Sequence, residues 1–509
     1  MLKKIPINNV LFKDTDEVGL DELTAERINA DVDLLGNIIN SPGLQRFVTL
    51  TLGGGDIQGL YYWQPKDLVI AVSGGRIYKI TRTGTVTDIT GADIKLLPKN
   101  RVSFASDKDY LFMANGGRIV FYADFFVHLY NDIHHPAVTN LDVDGALSEI
   151  RVNDILGDHV LWYPSDSAPS HVSHLAIINK VLVCNNVGSD LLSYSEVNVL
   201  TKIDAGNFFT AESNTDGVVA LFSTRNELII VGTKSIEFWE TGTDIPFIRV
   251  GGQDIARGTN SPHTCKIINN TLYMIDNERR LARVVRNIQD RDISIPALSM
   301  SKELDSFSEI QNLIADHVIV DGKNYYVLTS PVDEKTYVFD LNKNEWVSRW
   351  AYWDEGIGQW KRWRGNFYLH VPEWDAHLVG DCANGNIYKM TTKVNTEDAH
   401  FVRRILVRTG HISWGTYNDK QSNILTMKLK MDADRITAKN SKLSLRWRDN
   451  NGEWENERVI DLGSVGKHEF IREEYALGMY RTRQYELEYY GDARLMVCGI
   501  EEDFQVLEN

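Results

Sequence analysis

The stretch that decides the fold is VVALFSTRNELIIVGTKSIEFWE, residues 218–240. Two short apolar runs, VVALF and LIIV, flank a polar Arg-Asn turn, and this pattern indicates a β-hairpin. After a Gly-Thr-Lys-Ser turn, Ile236 and Phe238 alternate with Glu237, which indicates a third, half-buried strand, and residues 247–250 are a candidate fourth. Because such a small unit cannot bury its own faces, it must be one copy of a repeat, as in a propeller, or part of a sandwich.

Similar units recur along most of the chain. Residues 57–80 and 102–122 share the spacing of their apolar runs and a Gly-Gly-Arg-Ile turn. Copies mostly follow one another at about 45 to 50 residues, the period of four-stranded propeller blades. The extra residues 124–170 are a candidate inserted lobe. The seven copies lie at residues 57–80, 102–122, 174–196, 218–240, 265–285, 317–340 and 366–390.

The repeat predicts an all-β chain in three parts. Residues 1–44 carry few periodic signals and are predicted to form an N-terminal arm, with one candidate short helix around residues 23–35. Residues 45–390 are predicted to form a β-propeller of six or seven blades. Strands become longer from about Thr391, so residues 391–509 are predicted to be a linker and a C-terminal antiparallel β-sandwich.

Composition excludes several classes of protein. A net charge of −16 argues against a surface that grips nucleic acid, although nucleic acid could slide past such a surface. No run of about 18 apolar residues predicts a membrane span, and the first residues, MLKKIPINNVLF, lack the apolar segment of a secretion signal. We therefore expect folding in a cytoplasm, without membrane insertion. The four cysteines lie far apart and are predicted to be small buried hydrophobes.

Residue patterns for catalysis, cofactors and metals fail on spacing. The glycines at residues 53–55 miss the dinucleotide spacing, and GSVGK at residues 463–467 is too short for a phosphate loop. His134 and His135 have no carboxylate or cysteine at metal-ligand spacing. We therefore predict no catalytic, cofactor-binding or metal-binding residues. A glycosidase would need paired carboxylates, and the nearest candidates fit equally well as solvated strand residues: Glu237, Glu240, Glu373 and Asp375.

One cluster of aromatic residues stands out. Six of the twelve tryptophans fall between Trp346 and Trp374, interleaved with basic residues. Strand alternation would bury about half of these rings in a core. For the remainder we favour a protein interface, because Trp, Tyr and Arg are enriched at interface anchors; stacking on sugars or nucleic acid is the alternative. The candidate interface residues are Trp350, Tyr352, Trp353, Trp360, Trp363 and Arg364.

The chain resembles the packaged-DNA stabilisation proteins of short-tailed bacteriophages, which form the tail hub or tail accessory factor. Similarity in order and spacing extends from about Ser41 to Asp503, and none of the matching motifs is catalytic. The stretches that carry the resemblance are AESNTDGVV at residues 211–219, KSIEFW at 234–239, Gly380-Asp381 with Gly385-Asn-Ile-Tyr388, and VCGI at 497–500.

The resemblance implies a structural virion protein, assembled in the host cytoplasm, that forms a homo-hexameric ring below the head–tail adaptor ring. Such a ring extends the DNA channel, retains packaged DNA, and attaches a tail needle or nozzle below and tailspikes or fibres at its side. Genomic double-stranded DNA passes through without sequence-specific contacts, and no cofactor is involved. A glycan-cleaving or glycan-binding propeller is the alternative, and a pocket of converging carboxylates and arginines on the propeller axis would favour the glycan-cleaving enzyme.

Overall fold

The structure is a computed structural model. The part of the chain that it describes is almost entirely β, with one short α-helix, α1 (Ser301–Ser306). None of its helices is long and apolar enough to cross a bilayer. The described residues are 1–5, 25–33, 35–50, 54–127, 150–151, 157–211, 216–224, 227–242, 246–250, 255–286, 291–294, 301–397, 401–431, 441–454, 456–462 and 469–507.

The described N-terminal residues form short strands, most of which pair with distant parts of the chain. The helix predicted around residues 23–35 is wrong for residues 26–32, which form two strands separated by Asn29 at a positive φ of 57°. Pairing with strands from the other end of the chain outweighs local helix propensity here. These strands are β1 (Leu2–Lys4), β2 (Glu26–Ile28), β3 (Ala30–Val32), β4 (Ile38–Asn40) and β5 (Gly43–Thr49).

The first three repeat units each form a four-stranded antiparallel sheet, numbered sheets 1 to 3. In sheet 2 the fourth strand comes only after β13 and β14, a strand pair within the predicted lobe 124–170; residues 128–149 and 152–156 lie outside the described residues. The strands are β6 (Ile57–Trp63), β7 (Leu68–Ser73), β8 (Arg76–Ile80) and β9 (Val86–Asp88) in sheet 1; β10 (Ser103–Ser106), β11 (Tyr110–Ala114), β12 (Val120–Ala123) and β15 (Leu161–Trp162) in sheet 2, with β13 (Phe126–Val127) and β14 (Ile150–Arg151) outside it; and β16 (Leu175–Ile178), β17 (Val181–Asn185), β18 (Leu191–Tyr194) and β19 (Phe208–Thr210) in sheet 3.

The next four units form sheets 4 to 7 in the same way. Sheet 7 takes its fourth strand from the beginning of the chain, because β5 pairs with β36. The strands are β20 (Val218–Ser223), β21 (Glu227–Gly232), β22 (Ile236–Glu240) and β23 (Ile248–Arg249) in sheet 4; β24 (Lys266–Ile268), β25 (Thr271–Ile275), β26 (Leu281–Arg286) and β27 (Arg291–Ser294) in sheet 5; β28 (Ile314–Val320), β29 (Lys323–Ser330), β30 (Lys335–Asp340) and β31 (Glu345–Arg349) in sheet 6; and β34 (Gly365–Val371), β35 (Ala376–Asp381) and β36 (Asn386–Thr391) in sheet 7, after the hairpin β32 (Ala351–Asp354) and β33 (Gln359–Arg362).

Turn chemistry explains why the units resemble one another. In sheets 3 and 5 the first two strands are joined by Asn179-Lys180 and Asn269-Asn270, and all four residues have positive φ. Two-residue hairpin turns of type I′ require that conformation, which Asn tolerates well. In sheets 1 and 7 the same connection is a Pro-containing 3-10 turn that ends at Asp67 or Asp375, each with positive φ.

Hydrophobic clusters lie between consecutive sheets. Each sheet packs its face on the next one, and sheet 7 packs on sheet 1, so the described sheets share their cores as a series that returns to its start. Representative pairs, in order from sheets 1 and 2 to sheets 7 and 1, are Val72 with Met113, Phe112 with Leu182, Val183 with Ile230, Val231 with Met274, Ile275 with Leu328, Val327 with Val379, and Leu378 with Ala71.

The C-terminal residues form two sheets that enclose a separate core. One sheet has the order β3-β4-β45-β40-β43, with β1 on β45; the other has the order β39-β44-β41-β42 and continues into sheet 6 through β2. Side chains of both sheets, such as Leu425 and Leu445, pack in one cluster. The strands are β37 (Thr396–Glu397), β38 (Phe401–Val402), β39 (Arg404–Arg408), β40 (Lys420–Met431), β41 (Lys442–Asp449), β42 (Asn456–Ile460), β43 (Glu469–Tyr480), β44 (Arg483–Tyr490) and β45 (Leu495–Val506).

Strand β2 joins sheet 6 to the C-terminal sheets. It pairs in parallel with β31 and antiparallel with β39. A row of ion pairs follows the same path: Glu26 lies 2.9 Å from Arg349 and 3.3 Å from Arg408, and Arg408 lies 2.5 Å from Glu486, which also pairs with Arg446. Continuous strand pairing with alternating charges ties the C-terminal sheets to sheet 6.

Candidate functional site

The first strands of the repeat units surround a cavity of about 410 Å³. Strands β10, β16, β20 and β24 contribute most of its walls, with Tyr61 of β6 and Phe367 of β34 completing them. Strand β16 contacts β10 and β20, β28 contacts β24 and β34, and β34 contacts β6. The cavity therefore lies where the sheets converge, and Ser223, an exposed residue, places part of its wall at the surface.

Two basic side chains line this axial cavity. Arg101 stacks 3.5 Å from the centroid of the Phe367 ring and donates a hydrogen bond of 2.7 Å to the carbonyl of Asn366. Lys266 lies 3.0 Å from a carboxylate oxygen of Asp316, which does not line the cavity. Burial lowers the pKa of Arg101 to about 10, so it remains a cation at neutral pH. The residues that line the cavity thus include two cations and no carboxylate, while Asp316, outside the lining, pairs with both cations.

Two histidines in the wall are held in the neutral form. His174 and His263 stack with ring centroids 6.2 Å apart. Burial lowers the pKa of His174 to about 4. Burial, together with Arg101, His174 and Lys266, lowers the pKa of His263 to about 2. Burial disfavours the protonated form of both imidazoles because their cations would lose water, and nearby positive charges add to this effect at His263.

Replacing His174 by glutamine is expected to reduce the loss of stability at acid pH. An imidazole with a pKa of about 4 in the folded state and about 6.5 in the unfolded state binds its proton mainly after unfolding. Its contribution is therefore lost as pH falls from about 6.5 towards 4, by about 2 kcal/mol at pH 5. Urea denaturation at pH 7.5 and 5 measures this difference. His171→Gln, at an exposed site nearby, is the matched control. If the free energy of unfolding fell equally between pH 7.5 and 5 in wild type and in His174→Gln, the prediction would be contradicted.

The tryptophan-rich segment forms a hairpin between sheets 6 and 7. Trp353 and Trp360 are direct cross-strand partners in β32 and β33, with ring centroids 5.1 Å apart, and both are partly exposed. Arg404 of the C-terminal region stacks 4.5 Å from the Trp353 ring and pairs with Glu355 at 3.1 Å. At the base of the hairpin, Asn29 exchanges two hydrogen bonds with the backbone of Ala351.

A smaller cavity of about 210 Å³ lies beside the hairpin. Its wall includes Tyr352, Trp353 and Phe401, and half of the Phe401 surface is exposed. Tyr352 packs edge-to-face on Phe401, with centroids 6.5 Å apart. The partly exposed ring pair of Trp353 and Trp360 is here called the hairpin surface, and Tyr352 and Phe401 line the smaller cavity beside it.

The structure separates the six candidate interface residues. Trp350 and Trp363 are each only 1% exposed and lie in the core between sheets 6 and 7, so an interface position is wrong for these two. Trp350 immediately precedes β32 and Trp363 immediately follows β33, so both lie at the base of the hairpin, where the chain enters that core. Arg364 is half-buried and binds Asp381 at 2.6 Å; although burial opposes the charged form, Asp381 raises the pKa of Arg364. An interface role for Tyr352, Trp353, Trp360 and Arg364 stays a prediction.

The carboxylates considered for glycosidase chemistry lie in two different sheets. Glu237 and Glu240 are on β22 of sheet 4, and Glu237 is 1% exposed and accepts a hydrogen bond of 2.8 Å from Trp239. Glu373 and Asp375 lie at the 3-10 turn of sheet 7. None of the four lines the axial cavity. Within the described residues no cluster of three His, Cys, Asp or Glu side chains could hold a metal ion.

Sequence reasoning missed the residues around the axial cavity. Arg101, His174, Lys266 and Asp316 each lie in or just before the first strand of a repeat unit. First strands converge on the axis, so aligning the units would have predicted that these positions meet. Cys184 and Cys265 are buried as predicted, whereas Cys382 and Cys498 are only partly buried.

Repeated four-stranded antiparallel sheets that pack face to face around a common cavity define a β-propeller class of protein, with further sheets added at the C-terminus. Comparison with protein families identifies it further. A family model described as bacteriophage P22 Gp10, β-propeller, matches residues 34–395. The chain belongs to this family of phage stabilisation proteins, a family of structural proteins that stabilise packaged DNA in short-tailed phages. The resemblance drawn from the sequence and the all-β, propeller-containing fold are confirmed.

Two solved structures resemble the chain only weakly. A dihydro-heme d1 dehydrogenase, NirN, in complex with DHE aligns with a TM-score of 0.37 and 13% identity over 68% of this chain and 62% of that chain. The chain thus spans less than two thirds of that structure. A nidogen/laminin complex aligns with a TM-score of 0.30 and 13% identity over 48% of this chain and 81% of that one. Similarity this weak carries no functional information. No curated protein matches the chain.

Proposed function

We propose that this protein is the tail hub of a short-tailed phage, a ring component that continues the DNA channel below the head–tail adaptor ring and retains the packaged genome. Family membership over residues 34–395 is the observation that carries the proposal. The packing agrees with it, because units that share cores with both neighbours make a stiff body, as a conduit for pressurised DNA requires. A net charge of −16 would let DNA pass without adhering to the wall.

The architecture proposed for this role is a seven-bladed propeller followed by a β-sandwich. Seven four-stranded sheets with successive shared cores support the blade number, and β5 completes the last blade from the other end of the chain. The single core shared by the two C-terminal sheets supports the sandwich. A density map with six or eight blades, or without a central axis, would contradict this architecture.

Assembly into a homo-hexamer is part of the proposal. Head-to-tail contacts that repeat around an axis either close into a ring or continue as a filament, and a channel requires closure. Tail needle or nozzle proteins would bind below the ring, and tailspikes or fibres at its side. Light scattering of the purified chain, alone and mixed with the adaptor ring, tests the assembly: we expect six copies per complex, and a monomer under both conditions would refute the hexamer.

The hairpin surface is proposed as a contact with the adaptor ring. Replacing both Trp353 and Trp360 by alanine should weaken adaptor binding by about 2 kcal/mol per side chain, because partly exposed tryptophans beside arginine are frequent interface anchors. Binding is measured by co-sedimentation, and thermal melting reports folding. Tyr417→Ala, which removes an aromatic ring that is 55% exposed elsewhere, is the control and should bind normally. Unchanged binding by the double variant would remove the hairpin surface from the interface.

We further propose that the protein has no hydrolase activity. The separation of Glu237 and Glu240 from Glu373 and Asp375 supports this proposal, since a glycosidase needs two carboxylates on either side of one bond. Assays on bacterial polysaccharides and on nucleotides should show no turnover. Turnover that disappears in Glu237→Gln or Glu373→Gln would establish an enzyme instead.

A further inference from the structure

The axial cavity has the features of a ligand site that a DNA conduit does not require. Its volume of about 410 Å³ lies in the usual range for small-molecule pockets. A DNA duplex is far too wide to enter it. A cavity lined by cations is also unexpected on a chain of net charge −16. Passive passage of DNA does not require buried cations at this position.

Arg101 retains unused hydrogen-bonding capacity at the cavity. One terminal nitrogen donates to Asn366, and the other lies 3.7 Å from Asp316, beyond hydrogen-bond distance, with no acceptor among the described residues. The side chain is only 11% exposed, so water satisfies it poorly. A buried guanidinium N–H without an acceptor is costly, and Asp316 at 3.7 Å compensates the positive charge of Arg101 only in part, so this lining residue still attracts an anion into the cavity.

The rest of the wall suits a hydroxyl-bearing ring. Tyr61 and Phe104 are stacked, with centroids 5.2 Å apart and planes at 11°, and Phe222 adds a further aromatic face. Serine hydroxyls lie among these rings, including Ser106, which shares a hydrogen bond of 2.8 Å with Tyr61. Flat apolar faces pack on the C–H faces of sugars, and hydroxyls exchange hydrogen bonds with sugar hydroxyls.

We propose that the axial cavity binds an acidic sugar, whose carboxylate is attracted by the lining cations Arg101 and Lys266 and whose ring lies against the aromatic wall. Cell-surface polysaccharides of bacteria are a source of such residues, so the site would add glycan recognition to the structural role. The proposal does not depend on the tail-hub function.

Isothermal titration calorimetry of the full chain with sodium D-glucuronate tests the proposal, with D-glucose as the uncharged probe. We expect saturable binding of glucuronate at millimolar concentration or below, and binding of glucose at least about tenfold weaker, the usual effect of losing a charge-assisted contact. Lack of glucuronate binding, or equal binding of glucose, would overturn the proposal.

Variants at Lys266 test whether glucuronate binds in the axial cavity. This lysine is 29% exposed, so Lys266→Met should fold, which an unchanged melting temperature would verify, and should bind glucuronate about tenfold more weakly. Lys266→Arg retains the cation and should restore most of the affinity. Lys343→Met, at an exposed turn of sheet 6, is the matched control and should bind as wild type. Full binding by Lys266→Met, or equal loss in Lys343→Met, would refute the site.

Discussion

Trp363→Ala is expected to lower the free energy of unfolding by about 3 to 5 kcal/mol. The indole is 1% exposed and lies edge-to-face on Trp350, with ring centroids 4.9 Å apart and planes at 65°. Gly365 approaches the ring so closely that a Cβ there would collide with it, and because it has no side chain it cannot fill the space that the indole leaves. Removal of the ring therefore leaves a cavity between sheets 6 and 7.

Urea denaturation, with thermal melting as a second measurement, tests this prediction. Trp360→Ala is the matched control, because it removes the same side chain from the partly exposed hairpin, and we expect it to cost clearly less. Comparable losses in the two variants would mean that the hairpin surface is as tightly packed as the core. That outcome would also weaken the proposed contact of the hairpin with the adaptor ring.

Arg403→Met is expected to destabilise the protein by about 3 to 5 kcal/mol. The Arg403 side chain is 1% exposed, and its Nε lies 2.8 Å from a carboxylate oxygen of Glu397, which is 3% exposed. It also donates to the carbonyls of Ser41 and Pro42 and, at 2.8 Å, to the side-chain oxygen of Asn29. Methionine fills much of the space but leaves Glu397 as a buried charge and removes donors from three oxygens.

Arg404→Met provides the comparison one residue along the chain. Arg404 is 25% exposed and pairs with Glu355 and Glu488 near the surface, where solvent screens the charges. Its loss should cost no more than about 1 kcal/mol. The double variant Arg403→Met with Glu397→Leu should recover part of the loss, because no unpaired charge is then buried. Equal denaturation midpoints for Arg403→Met and wild type would show that the buried pair does not hold the N-terminal segment in place.

Much of the fold could be predicted because its signals are local. Alternation at Ile236 to Phe238 and the paired turn residues Asn269-Asn270 lie within a few residues of the strands that they define. Repetition of such hairpins then indicated a propeller, which family membership confirms. The candidate helix around residues 23–35 failed because β2 is stabilised by β31 and β39, more than 300 residues away. No local pattern reports such a partner.

The candidate site residues could likewise be predicted only where their signals were local. Counting tryptophans identified the segment that forms the hairpin surface, but strand alternation alone did not show that Trp350 and Trp363 turn into the core while Trp353 and Trp360 stay at the surface. No sequence pattern predicted the axial cavity. Arg101, Lys266 and Asp316 are separated by up to 215 residues, and each is an ordinary strand-end charge until the sheets are arranged around an axis.

The sequence by itself thus determined the strand units, their turns and the family, since hairpin pairing and turn geometry depend on neighbouring residues. Only the tertiary structure decided how the chain ends are used: β5 completes sheet 7, β2 joins sheet 6 to the C-terminal sheets, and Arg403 binds Glu397 in a buried junction. The physical reason is that these contacts become favourable only after distant segments have been brought together, when burial strengthens charge pairs and paired strands satisfy their backbone groups.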